Sequence, residues 1–146
     1  MYSLKFTGVS RRAMAFVIDI IIVGILTYLF SSFFKIFFLM FGGVKGTDFF
    51  EENVLIIRGI MFFVVSLIYF SFLISTSLSS TLGQFMLKMK VVDKDENSIS
   101  FLRSVGRYFA TYLSFITLFL GLVMACYSQS RQTLHDVICK TYVVDR

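Results

Sequence analysis

Arg11-Arg12-Ala13-Met14-Ala15-Phe16-Val17-Ile18-Asp19 decides how this chain is read, because it leads from two cations to a lone carboxylate inside an apolar run. Between Arg12 and Lys35 lie 22 residues, of which Asp19 alone is charged at neutral pH. As a helix rising about 1.5 Å per residue, that run covers about 33 Å, enough to cross a bilayer. A charge at membrane depth costs about 2.5–3.5 kcal/mol even on lenient insertion scales, so Asp19 is expected to face protein or water and to have a partner. Arg12 lies two helical turns back, on nearly the same face. The two are about 10 Å apart along the axis, further than a direct contact unless the arginine reaches inward. Another segment has to contribute.

The rest of the chain has the same character. Its 146 residues are 57% hydrophobic and its mean hydropathy is +0.81, whereas a soluble domain is about 45–50% apolar. The expected fold class is an all-α integral membrane protein. Nineteen phenylalanines and no proline fit Phe-rich membrane helices with few kinks. The length allows one domain, residues 1–146. Residues 1–12 carry Lys5, Arg11 and Arg12 and no acid, which places the N-terminus on the cytoplasmic side. The apolar run is about twice the length of a signal core and no Ala-x-Ala-like site follows it, so the first helix is expected to stay in the protein. A net charge of +5 does not imply nucleic acid here, because cytoplasmic membrane flanks are routinely basic. Cys126 and Cys139 match no zinc spacing and are read as free thiols; neither a metal nor a cofactor is expected.

Taken in order, helix one covers about 13–35 and Gly42-Gly43 ends it. The connection 44–53 sets Lys45 against Asp48, Glu51 and Glu52, which suits an outer loop. Helix two covers about 58–80, with Arg58 as its outer anchor. Ser71, Ser75 and Ser79 recur every four residues in it, a stripe for close helix packing or, alternatively, a hydroxyl-lined path. Polar composition then takes over from Thr81 to Arg107, where Phe85–Asp93 reads as a short strand entering the turn Asp93-Lys94-Asp95-Glu96. The helix-three region, about 101–127, has two readings. It spans once and puts the C-terminus outside, or it starts as an interfacial amphipathic helix, breaks near 117–121 and re-enters. The second reading keeps the tail cytoplasmic and allows a short β-pairing of 88–93 with 140–145, which would lean on the helices or the membrane surface.

The tail holds Arg131-Gln132-Thr133-Leu134-His135-Asp136. His135, the single histidine, relays protons with Asp136 or, more simply, pins its segment to its neighbours. No G-x-S-x-G, CxxC, phosphate loop or dinucleotide fingerprint occurs, so no enzyme is expected.

Three groups of residues together resemble the RDD family of bacterial integral membrane proteins. They are Arg12, Ala15, Ile18 and Asp19; Thr81 and Gly83 leading to Val91-Val92-Asp93; and Gln132 to Asp136 before Thr141, Val143 and Val144. By motif, the arginine and two aspartates that name the family correspond to Arg12, Asp19 and Asp136. The chain departs from the family pattern at Thr81-Leu82-Gly83-Gln84, where Thr-Pro-Gly-Lys is common, and at Lys88, where glycine is common.

The resemblance implies a multi-pass protein of the bacterial inner membrane. It also implies that this chain acts in or with a transport system, which for some members is monovalent cation/proton antiport. On that reading Asp19 is the ion- or proton-responsive group, and Arg12, Asp136 and His135 form a polar network. Asp136 is the candidate partner of Arg12, which leaves Asp19 the less neutralised carboxylate. The partners are the lipid bilayer, a monovalent cation or proton, and a second copy or a partner membrane subunit, because a hairpin and a third element enclose little space. The alternative is a non-catalytic assembly or interaction protein in which Arg12, Asp19 and Asp136 are structural.

Overall fold

Two helices dominate the chain. The computed structural model describes residues 7–116 and 132–146. Its elements run α1 (Val9–Glu52), α2 (Val54–Ser75), α3 (Leu82–Met86), β1 (Met89–Val92), α4 (Phe101–Ile116), α5 (Leu134–Cys139) and β2 (Tyr142–Asp145). Two stretches, Val9–Gly43 and Val54–Ser75, are long and apolar enough to cross a membrane, with hydropathies of 2.4 and 2.3. Only 22% and 11% of their most apolar windows are buried within the protein, so they are not the core helices of a soluble domain. Ile21, Leu29, Phe33, Met40, Leu55, Ile60 and Ile68 all face outward. Such continuous apolar surface needs lipid or protein to cover it.

The expected boundaries need correction at three places. Helix one starts at Val9, before the expected Ala13, and residues 44–52, expected as a loop, are helical. Gly43 does break the direction, with φ 56° and ψ −150°, a conformation open to glycine. Beyond it the chain re-enters a helix because Phe49 and Phe50 have a face to pack on. Phe38 meets their rings at 6.2 and 6.1 Å, and Phe50 is fully buried.

Helix two runs from Val54 to Ser75 rather than from 58 to 80. Past Ser75 the hydroxyls take over the backbone. Thr76 donates to the Leu73 carbonyl at 2.7 Å and Ser80 to the Leu78 carbonyl at 3.0 Å, local bonds that compete with helix continuation. Ser79 therefore leaves the helix, at φ 49°, and its carbonyl accepts from Val91 N–H. The Ser71/Ser75/Ser79 spacing is thus not a helical stripe.

Ile20–Ile68 form one compact unit, in which Arg58 donates to Ser31 Oγ at 3.2 Å and Lys35 pairs with Glu51. Both partners of that ion pair are half exposed, so it adds little stability.

The chain up to Asp19 and from Tyr69 onward forms the other unit. At its centre β1 and β2 pair antiparallel, with Met89 opposite Asp145 and Val92 opposite Tyr142. The expected 88–93/140–145 pairing is present. Two strands alone are marginal in water. Here Met89, Val91 and Val143 pack with Ala15, Ile74 and Ile99 into one buried cluster, so α1, α2 and the loop before α4 cover the sheet. Thr7 N–H adds a bond to the Val143 carbonyl.

Helix α4 is amphipathic with its polarity reversed. Ser104, Arg107, Tyr108 and Ala110 are buried, while Phe101, Leu102, Phe109 and Leu113 are exposed. The expected break near 117–121, the short helix to Tyr127 and Cys126 lie outside the described residues.

Candidate functional site

Two buried carboxylates organise the second unit. The first is Asp136. Thr133-Leu134-His135-Asp136 has the spacing of a capping box, and Thr133 donates to Asp136 Oδ2 through its N–H (3.2 Å) and its hydroxyl (2.8 Å). That local arrangement fixes the carboxylate at the start of α5, where longer-range partners reach it. Arg12 of α1 meets Oδ2 at 2.7 Å and Arg107 of α4 meets Oδ1 at 2.7 Å. Arg107 also donates to Thr141 Oγ1 at 2.8 Å, and Arg12 to the Val143 carbonyl at 3.3 Å. One carboxylate with no solvent exposure therefore binds α1, α4, α5 and the entry to β2.

Burial alone would raise the Asp136 pKa. The Arg107 guanidinium, the His135 imidazole and the Arg12 guanidinium, in that order, together with the Thr133 hydrogen bond, outweigh it and hold the group at about 2. His135 shares the cluster, its Nε2 lying 2.9 Å from Thr133 Oγ1 and 3.7 Å from Asp136 Oδ1. Burial pushes its pKa down to about 4, with Asp136 opposing and Arg107 and Arg12 assisting. At neutral pH the imidazole is uncharged.

The second carboxylate is Asp19. It is buried, and it accepts from Tyr69 Oη at 2.7 Å, Thr81 Oγ1 at 2.6 Å and Gly83 N–H at 2.8 Å. Thr81 is the N-cap of α3, its hydroxyl accepting from Gln84 N–H while Gln84 Oε1 accepts from Thr81 N–H. Gly83 is required by close approach. A Cβ there would lie 2.3 Å from the Ala15 carbonyl oxygen and 2.9 Å from Asp19 Oδ1. Asp19 thus joins α1, the last turns of α2 and α3 through neutral donors alone among the described residues.

Arg12 and Asp136 come together, with His135 beside them. Arg12 and Asp19 are not paired: the arginine is committed to the tail. Ser71 is buried and its hydroxyl has no partner among the described residues, Ser75 bonds the Phe72 carbonyl of its own helix, and Ser79 serves the sheet. Arg107 does not stand out in the sequence as a carboxylate partner, because its four-residue spacing from Arg103 fits an interfacial amphipathic face. Tyr69 and Thr141 do not stand out either. Nothing local marks a tyrosine in an apolar helix or a threonine before a strand as a carboxylate partner.

These contacts set the motif residues in one frame, and the family model for the RDD family matches residues 6–140. The chain belongs to the RDD family. It is similar to the uncharacterized protein YxaI of Bacillus subtilis (strain 168), with 30% identity over 149 residues, covering 96% of this chain and 97% of that one. No solved structure matches. The chain is accordingly a membrane protein of the RDD family.

Proposed function

We propose that this RDD-family protein is a non-catalytic membrane assembly or interaction protein, in which Arg12, Asp19 and Asp136 hold a polar sheet-and-helix unit in one arrangement. The observation that carries this reading is Asp136: fully buried, with each oxygen on a guanidinium from a different helix. Removing one member of such a set leaves a buried charge uncompensated, which is costly. A group so tightly held is suited to fixing structure. We place the protein in the bacterial inner membrane with both termini cytoplasmic, working as a homo-oligomer or beside a partner membrane subunit.

A second reading is transport, including monovalent cation/proton antiport, and Asp19 favours it. Its carboxylate is held by two hydroxyls and one N–H, and among the described residues no protein cation occupies the place that a proton or a monovalent cation would take. The two readings separate in liposomes. The purified chain, reconstituted with an internal pH dye, is given sodium or potassium gradients. The assembly reading expects no cation-dependent proton movement, with Asp19→Asn lowering abundance and thermal stability. Cation-dependent proton movement that Asp19→Asn abolishes at normal abundance would overturn it in favour of transport.

A further inference from the structure

Arg12, Asp19 and Asp136 leave one polar feature of the second unit unused. A cleft of about 390 Å³ is lined by Asp93 and Lys94 after β1, Arg103 of α4, Gln132 before α5, and Val137, Lys140 and Tyr142 at the α5–β2 junction. Three cations against one carboxylate give it a net charge of +2. The carboxylate is already engaged: Asp93 accepts from Arg103, whose other Nη donates to the Cys139 carbonyl, so the guanidinium is fixed in place. Lys94 and Lys140 are exposed and make no ion pair among the described residues.

Lys140 is held in the left-handed region, at φ 52° and ψ 51°, as the C-cap of α5. Glycine or asparagine normally takes that position, and a long side chain there is disfavoured. The conformation puts an ammonium beside the cleft at some expense in stability. Apolar side chains are exposed on the two helices that line it. Val137 and Ile138 of α5 are 47% and 51% exposed, and Phe101 and Leu102 at the start of α4 are 52% and 81% exposed. A cationic cleft lined by Val137, on helices that expose Ile138, Phe101 and Leu102 next to its lining residues in sequence, matches a group that is anionic at one end and hydrocarbon at the other.

The geometry points to a binding site for the phosphate headgroup of an anionic phospholipid, formed by Lys94, Arg103 and Lys140, with the exposed residues of α4 and α5 against the acyl chains. This site uses neither the Asp19 nor the Asp136 carboxylate and does not depend on whether the protein moves ions.

Thermal unfolding of the purified full chain in an uncharged detergent tests it, with added short-chain phosphatidylglycerol, short-chain phosphatidylcholine or inorganic phosphate. Phosphatidylglycerol should raise Tm saturably, and the other two should not. The exposed double variant Lys94→Gln/Lys140→Gln should keep the lipid-free Tm and weaken half-saturation about tenfold or more, as expected for two lysines at an anionic surface. Lys45→Gln, in the other unit, should respond as the parent does. Lys140→Gly should raise the lipid-free Tm while weakening the response. An equal shift with phosphatidylcholine, an equal shift with inorganic phosphate, or an unchanged response in the double variant would each overturn the assignment.

Discussion

Asp136 and Asp19 are both buried carboxylates, yet different groups satisfy them, and the difference predicts unequal sensitivity to the same substitution. Asp136→Asn leaves the guanidiniums of Arg12 and Arg107 facing a neutral amide, and should cost about 3–5 kcal/mol, as removal of one partner from a buried ion pair does. Asp19→Asn retains a carbonyl for two of its three donors and should cost about 1–3 kcal/mol. Abundance in membranes and Tm in detergent should both rank wild type above Asp19→Asn above Asp136→Asn; the reverse order would show that Asp19 holds the unit together. Glycine gives a second test. Gly83→Ala drives a methyl against the Ala15 carbonyl and should destabilise by about 1–3 kcal/mol. Gly106→Ala meets only Cys139 Sγ at 4.0 Å and should be tolerated in the same Tm assay.

Several elements end where a side chain or a backbone sign dictates, and these ends were only partly legible in the sequence. Gly43 breaks α1, as the Gly42-Gly43 pair implied, but it does not start a loop, because the rings of Phe49 and Phe50 recover their helix-packing surface at once. The strand pairing was legible from the alternation before Asp93 and the matching Val-Val-Asp near the C-terminus. The α2 end was not, since a run of hydroxyls reads equally as a helix stripe and as a set of local bonds to carbonyls. Lys88 is a further case. It sits at φ 55° between α3 and β1, in the left-handed region that favours glycine. Lys88→Gly removes the left-handed strain and should stabilise the protein by about 0.5–1 kcal/mol, read as a higher Tm. A drop would mean that the lysine side chain makes a compensating contact.

At the scale of the whole molecule, stability should follow pH through the buried cluster. His135 titrates at about 4 folded, against 6.5 as its ordinary value, and Asp136 at about 2, against 3.8. Both values are depressed, so the stabilisation is fully present above the unfolded pKa and is lost as pH falls. It should decline first between pH 6.5 and 4, as the unfolded chain takes up a proton on His135 that the folded chain refuses. It should decline again between 3.8 and 2 as Asp136 is protonated, a loss of about 2 kcal/mol. Tm of the detergent-solubilised chain across this range checks the sign. His135→Gln should flatten the upper segment and, because the protonated imidazole helps to hold the Asp136 pKa down, also shrink the lower one; a Tm that rose on acidification would contradict the assignment.

What the sequence determined by itself is what depends on neighbours along the chain. Uninterrupted apolar runs produce helices fit for lipid, the Thr-x-x-Asp spacing caps α5, and alternation produces the short strands. The combination of motifs pointed to the RDD family before any contact was known. The tertiary structure alone decided which donor meets which carboxylate. Arg12 and Asp136 are 124 positions apart, and Asp19 draws its donors from 50, 62 and 64 positions away. A helix carries Arg12 and Asp19 on nearly one face but about two turns apart, so each is satisfied by whatever the folded chain brings alongside. For Arg12 that is the tail carboxylate. For Asp19 it is a tyrosine, a threonine and a glycine amide, because only Gly83 lets the backbone of α3 come that close.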